Sequence, residues 1–332
     1  MAVATIPDAI DTALRRLRKA PRAQAPALLS AFRDDPALSR QRSHATGRLP
    51  AHEVVLAVPK LGPSRGGDGD RDGDRDGDRD GDRALVLNLL RLLLEQAPET
   101  AHVPDPIGGG WFPLHRALKS GGVDDDVFPA LLGLAAGGPL DDAVDLCNTP
   151  DPEQCLPLIR AIRSHASEEV IRLLLESGGA AAVVHQHQGT KQGWNALHFA
   201  ARYHAPIGAL RCMLGMAAES AKAKASLGIT PLHIAVSAKA SLEVVRLLLE
   251  FSDRGVEDSL LRTPLSIAVR LGQDNPKGVL EELLANAPSD RLVEYASDKF
   301  VMANATSPAG RHYAGLRAIE FVRGSKLGAA NT

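Results

Sequence analysis

A few residues in this chain are of a type and spacing that could do chemistry. Asp68, Asp70 and Asp72 with Gly73 repeat the first half of a calcium-binding loop. In such a loop, alternate carboxylates and a turn glycine surround a hard cation. The second half does not follow: Arg79 stands where the bidentate glutamate is needed, and Arg75 where an apolar residue belongs. Arg71 likewise replaces the aspartate of the calcium-binding β-roll pattern, and the interleaved arginines neutralise the field a cation requires. His185-Gln186-His187 spaces two imidazoles as a zinc or copper chelate would, but further ligands are missing nearby. The run Gly108-Gly109-Gly110 could cradle a phosphate, yet no strand precedes it and no Lys-Ser or Lys-Thr follows. Cys147, Cys155 and Cys212 are odd in number and lack metal-type spacing, which suits a reducing compartment. No nucleophile–base pair or paired carboxylates stand out. The expectation is therefore no catalytic residue, no cofactor and no metal.

Four histidines, His52, His115, His198 and His233, recur at one position of a longer pattern. The pattern is clearest from Gly228 to Glu250. Thr230-Pro231 reads as a helix start, because a proline's missing N–H costs nothing in the first turn. Leu232 and Ala235 share one face of the short helix that follows. Val244, Val245, Leu247, Leu248 and Leu249 form the stripe of a second helix. Helices this short do not persist alone in water, so the pair needs neighbours. With Leu232 as anchor, the equivalent positions are Ala51, Leu114, Leu158, Leu197 and Leu265. Arg172, Arg211 and Arg246 stand at one offset after their anchors and fix the register.

Thr230-Pro231-Leu232-His233-Ile234-Ala235, with Glu243–Glu250 after it, resembles the ankyrin-repeat family. The likeness is specific in the fifth repeat, good in the fourth and weaker toward the ends. It implies an all-α fold: an ankyrin-repeat solenoid of stacked helix pairs with short hairpin fingers and helical caps at both ends. Each pair touches only its neighbours. The repeated histidine is implied to be structural, bonding at the junction of finger and helix. Partners in this family dock on the inner face, made by finger tips and first helices.

The domain reading is a basic helical cap at 1–45, six repeats at 46–288, a C-terminal helical cap at 289–323 and a flexible tail at 324–332. In the cap, Ile10, Leu14 and Leu17 face one way and Arg15, Arg16, Arg18 and Lys19 the other; Pro21 and Pro26 are expected to break the helix, leaving a second one at Ala27–Phe32. The first repeat is interrupted at 64–83 by a Gly-Asp-Arg-Asp period without one apolar residue, which predicts disorder, with the next helix at Ala84–Gln96. The finger at Gly178–Gly193 is expected to be long. Asn304-Ala305-Thr306 fits a glycosylation acceptor, against the compartment expected here. Net charge is −2, which gives no general pull toward nucleic acid or a membrane. No apolar run is long enough to span a bilayer. The early Asp8 and Asp11 count against a leader peptide. An intracellular, cytoplasmic location is expected, with the nucleus open.

Two surface positions are free of the repeat's packing pattern. Three before the anchor stand Arg48, Trp111, Cys155, Trp194, Ile229 and Arg262; five after it stand Leu56, Lys119, Arg163, Arg202, Ser237 and Arg270. Tryptophan and arginine are common at binding hot spots. The candidate partner-binding set is Trp111, Trp194, Arg262, Lys119, Arg163, Arg202, Tyr203 and Arg270. It reads as a non-catalytic scaffold for a protein partner of acidic character, with no small-molecule substrate. The alternative is a regulator that contacts nucleic acid through the basic N-terminal helix.

Overall fold

A computed structural model describes residues 5–57, 76–107, 109–120, 128–132, 146–188, 193–253, 255–271 and 274–287. The remainder of the acidic–basic segment, the helices expected at 289–323, Asn304 and the tail at 324–332 lie outside the described residues. Within them, regular structure is helical, apart from one isolated bridge between Thr5 and Arg42. The chain divides into two compact units, Met1–Ala182 and Val183–Thr332.

In the first unit, α1 (Asp8–Leu17) and α2 (Pro21–Asp34) form an antiparallel pair. It packs on α3 (Pro50–Ala57) and α4 (Asp76–Gln96), α1 against α3 and α2 against α4. Leu14, Leu17, Leu28 and Phe32 on the first pair, and Val86, Leu89, Leu90 and Leu93 on α4, are all closed to water. The basic residues Arg15, Arg16, Arg18 and Lys19 stay outside. Two expectations are corrected. α2 begins at Pro21 and runs through Pro26. Pro26 lies on the exposed side, where the carbonyl it orphans can bond water, while Ala25, Leu28 and Phe32 hold the opposite face. α4 begins at Asp76 rather than Ala84; its first turns are acidic, and Asp82 receives Arg22 Nε from α2 at 2.7 Å. Next come α5 (Pro113–Ser120), packed on α3, and α6 (Phe128–Leu131), packed on α4. Then α7 (Pro157–Arg163) packs on α5. α8 (Glu168–Val184) is broken at Gly179, and its helical run past that glycine takes up part of the long finger expected at Gly178–Gly193.

The second unit stacks three pairs. The first helices are α9 (Ala196–Arg202), α11 (Pro231–Ser237) and α13 (Pro264–Leu271); the second helices are α10 (Ile207–Met216), α12 (Leu242–Phe251) and α14 (Val279–Ala285). α9 packs on α11 and α11 on α13, while α10 packs on α12 and α12 on α14. Burying Leu248 or Leu283 contributes about 2 kcal/mol each, which helices of this length cannot find alone.

Every first helix starts one residue before its anchor, and Pro50, Pro113, Pro157, Pro231 and Pro264 open five of them. Where Ala196 opens α9 instead, the Asn195 side chain accepts the His198 N–H and caps the helix. At the other end of α7, α9 and α11 the chain turns through left-handed His165, His204 and Lys239. The N–H groups of Ala166, Ala205 and Ala240 then close back on the helix.

Each finger is closed by one backbone bond. The N–H of Ser43, Asp105, Asp151, His187, Ala225 and Asp258 donates to the carbonyl of Arg48, Trp111, Cys155, Trp194, Ile229 and Arg262, at 2.8–3.0 Å. The residue before each acceptor is left-handed: Gly47, Gly110, Gln154, Gly193, Gly228 and Leu261, with φ between 57° and 82°. A Cβ on Gly193 would also meet backbone of the next finger, 3.0 Å from Ala225 Cα. Gly193→Ala should therefore destabilise by about 1–2 kcal/mol or more, while Gln154→Gly relieves strain and stabilises by about 1 kcal/mol. Urea unfolding midpoints of the full chain check both signs.

Candidate protein-binding face

The repeated histidines fasten one repeat to the next finger. His52 Nε2 donates to Val103 O at 2.8 Å, His115 to Thr149 O at 3.0 Å, His198 to Ile229 O at 3.0 Å and His233 to Arg262 O at 3.0 Å. On the other ring nitrogen, His52, His198 and His233 accept the N–H of Leu49, Asn195 and Thr230. Both roles need a neutral imidazole. Burial lowers all four below the usual histidine range, His115 and His198 to about 4. In the sixth repeat Ser266 replaces the histidine and closes on Thr263 alone.

Three fingers carry an aspartate that the sequence reading passed over. The Oδ1 atoms of Asp105, Asp151 and Asp258 accept N–H groups from Ile107, from Glu153 and Cys155, and from Leu260 and Arg262. Each carboxylate also holds an arginine: Asp105 takes Arg48 at 2.9 Å, Asp151 takes Arg160 and Asp258 takes Arg262 at 2.8 Å. Burial pushes the Asp258 carboxyl up, but Arg262 and the turn N–H groups outweigh it and leave it below the usual range. The signal was available as an aspartate at a fixed distance before the anchor in repeats three and six.

The position three before the anchor belongs to the fold, since its carbonyl closes the finger and its side chain folds back. Trp111 is only 7% exposed, with Lys119 Nζ at 4.3 Å, Arg160 Cζ at 4.9 Å and Arg116 Cζ at 5.4 Å from the ring centre. Trp194 is 8% exposed, stacked on His198 and edge-on to Phe199. Trp194 packs on its own repeat, Trp111 also meets Arg160 of the next, and both offer little surface. Arg262 is half-buried on Asp258. Five after the anchor the picture differs: Lys119, Arg163, Arg202, Ser237 and Arg270 are exposed, and Leu56 is half-buried. Lys119 donates to Glu153 at 2.6 Å; that bond first, then Arg160, holds the Glu153 carboxyl down at about 2. Arg163 points a guanidinium N–H at Cys155 Sγ, 3.4 Å away. The Arg202 side chain makes no hydrogen bond or ion pair with any described residue. Tyr203 stacks on Phe199.

As for metals, His187 is buried edge-on against Phe199. No group of three or more metal-type side chains comes together among the described residues, and none of the described helices is long and apolar enough to cross a membrane.

The histidines predict an acid-sensitive fold. Unfolded imidazoles bind a proton near pH 6.5 and the folded ones only at lower pH, so the unfolded chain gains protons first as pH falls. Stability is full above about 6.5 and falls from there toward 4, by on the order of 3 kcal/mol for His198. Melting temperatures between about pH 7 and pH 4 should drop steeply for the wild type and less steeply for His198→Gln.

The comparisons agree with this geometry. Residues 227–259 match the family model for the ankyrin repeat. None of the curated proteins matches the chain. Among solved structures, the crystal structure of the ankyrin repeat domain of Bcl-3, described as a unique member of the IkappaB protein family, is similar with a TM-score of 0.51. That match is 18% identical and covers 85% of this chain and 99% of that one. At that identity the likeness is one of fold. Residues 227–259 thus carry an ankyrin repeat, and the fold around them is similar to that of an ankyrin repeat domain.

Proposed function

We propose that this chain is a non-catalytic binding module in which each of the two units captures an acidic segment of a partner protein at the exposed ends of its first helices. Ankyrin repeats are generally protein–protein interaction modules, and folds of this family are typically non-catalytic. The observation that carries the acidic partner is the position five after the anchor. There the packing demand has ended, and Lys119, Arg163, Arg202 and Arg270 reach water on a chain whose net charge is −2. Arg202 meets no carboxylate among the described residues, and Tyr203 stands beside it. Such a stripe steers an acidic partner and sets association rate more than affinity. Three cysteines without a disulfide, two of them buried, support an intracellular setting.

Lys119 is a poor probe, because Lys119→Glu would set two carboxylates against each other at Glu153 and remove a cation from the Trp111 ring. Arg163→Glu and Arg202→Glu are better placed, one in each unit. Together they should abolish capture of acidic partners from native lysate, leaving the melting temperature within about 2 °C of wild type. Salt should weaken wild-type capture in the same direction. Undiminished capture by the double variant would contradict the proposal.

A further inference from the structure

The last two fingers end in side chains that the fold does not use. Leu227 is 58% exposed, Leu260 62% and Leu261 78%. The Ser259 N–H donates to Leu227 O at 2.8 Å, so the two tips lie side by side. Leu227 and Leu260 occupy one equivalent position, which holds Thr46, Gly109 and Glu153 in other fingers. Leu261 stands where Gly47, Gly110, Gly193 and Gly228 stand elsewhere, and it adopts their left-handed backbone at φ 57°. A leucine is disfavoured in that conformation, and exposing it offers the fold no compensation.

We propose that these tips are the anchoring subsite for an aliphatic side chain of the partner, which thus presents leucine, isoleucine, valine or methionine flanked by carboxylates. This deepens the acidic-segment reading above and rests on it. Charge complementarity selects the flanks. The single carboxylate of the two turns, Asp258, is buried and held by Arg262 and by the N–H groups of Leu260 and Arg262. Lys224, Arg202 and Arg270 are exposed on the fingers and first helices of the same unit. α13 is about 12 Å long, so an extended segment of a few residues reaches from the Leu261 tip to Arg270.

The test is selection of a random peptide library, displayed on phage, against the full-length chain. Selected peptides should place an aliphatic residue beside Asp or Glu. The double variant Leu260→Ser, Leu261→Gly should bind them about tenfold or more weakly. Its urea midpoint should be unchanged or higher, because glycine relieves the left-handed strain. Peptides that bind this variant as well as wild type, or that lack aliphatic residues, overturn the inference. Concentration-dependent self-association that the variant abolishes also overturns it, by making a second copy the occupant. If acidic peptides depend on Arg202 but ignore Leu260 and Leu261, the subsite fails and the basic stripe stands. Basic or uncharged peptides, or no enrichment over bare support, remove both.

Discussion

The structure depends on one backbone hydrogen bond, repeated at each finger, and on what is fastened to its acceptor. In the second unit the carbonyls of Ile229 and Arg262 each accept twice. One donor is their own finger's N–H, from Ala225 or Asp258; the other is the imidazole of the repeat before, His198 or His233. A buried carbonyl has two lone pairs and must place them, so closing a finger and docking it on its neighbour become one event. In the first unit, His52 and His115 reach Val103 and Thr149 just ahead of the next turn, which links neighbours by a slightly different carbonyl. Helices of seven or eight residues gain stability by this coupling and by shared apolar burial, and by neither alone.

The same economy decides where binding can occur. Anchors, histidines, finger aspartates and the residues three before the anchor are all consumed by folding, and the tryptophans fall in that group. What is left is the far end of each first helix and the extreme tip of each finger. Those places carry cations in both units, and in the last two fingers they carry leucines. Exposed residues that the core does not need are where a partner's chemistry can act with least damage to the scaffold.

Much of the fold was legible because an opening proline marks every first helix but α9 and an anchor leucine every one but α3, and because a hydroxyl or asparagine precedes them in repeats four to six. The start of α4 was not legible. Asp76–Arg83 lacks apolar residues, and only the facing Arg22 and the buried Arg83 show why a helix continues there. Pro26 misled for a related reason: a proline's cost depends on whether its orphaned carbonyl faces water, which the sequence does not state. Residue type and position also drew attention to Trp111 and Trp194 as hot spots, whereas Trp194 is buried against His198 and Phe199, and Trp111 under cations that include Arg160 of the next repeat. Asp105 was hidden by a longer finger, which changes its offset from the anchor, whereas Asp151 and Asp258 share one offset. The leucine tips were legible as residues, but their left-handed backbone was not.

The coupling of finger to preceding histidine is tested most directly by amide hydrogen exchange on the full chain and on His233→Ala. The account predicts that the Asp258 amide, in the following repeat, exchanges much faster in the variant because its acceptor has lost its fixed position. Acceleration confined to α11, with Asp258 still protected as in the wild type, would show that each repeat closes its own finger and would contradict it.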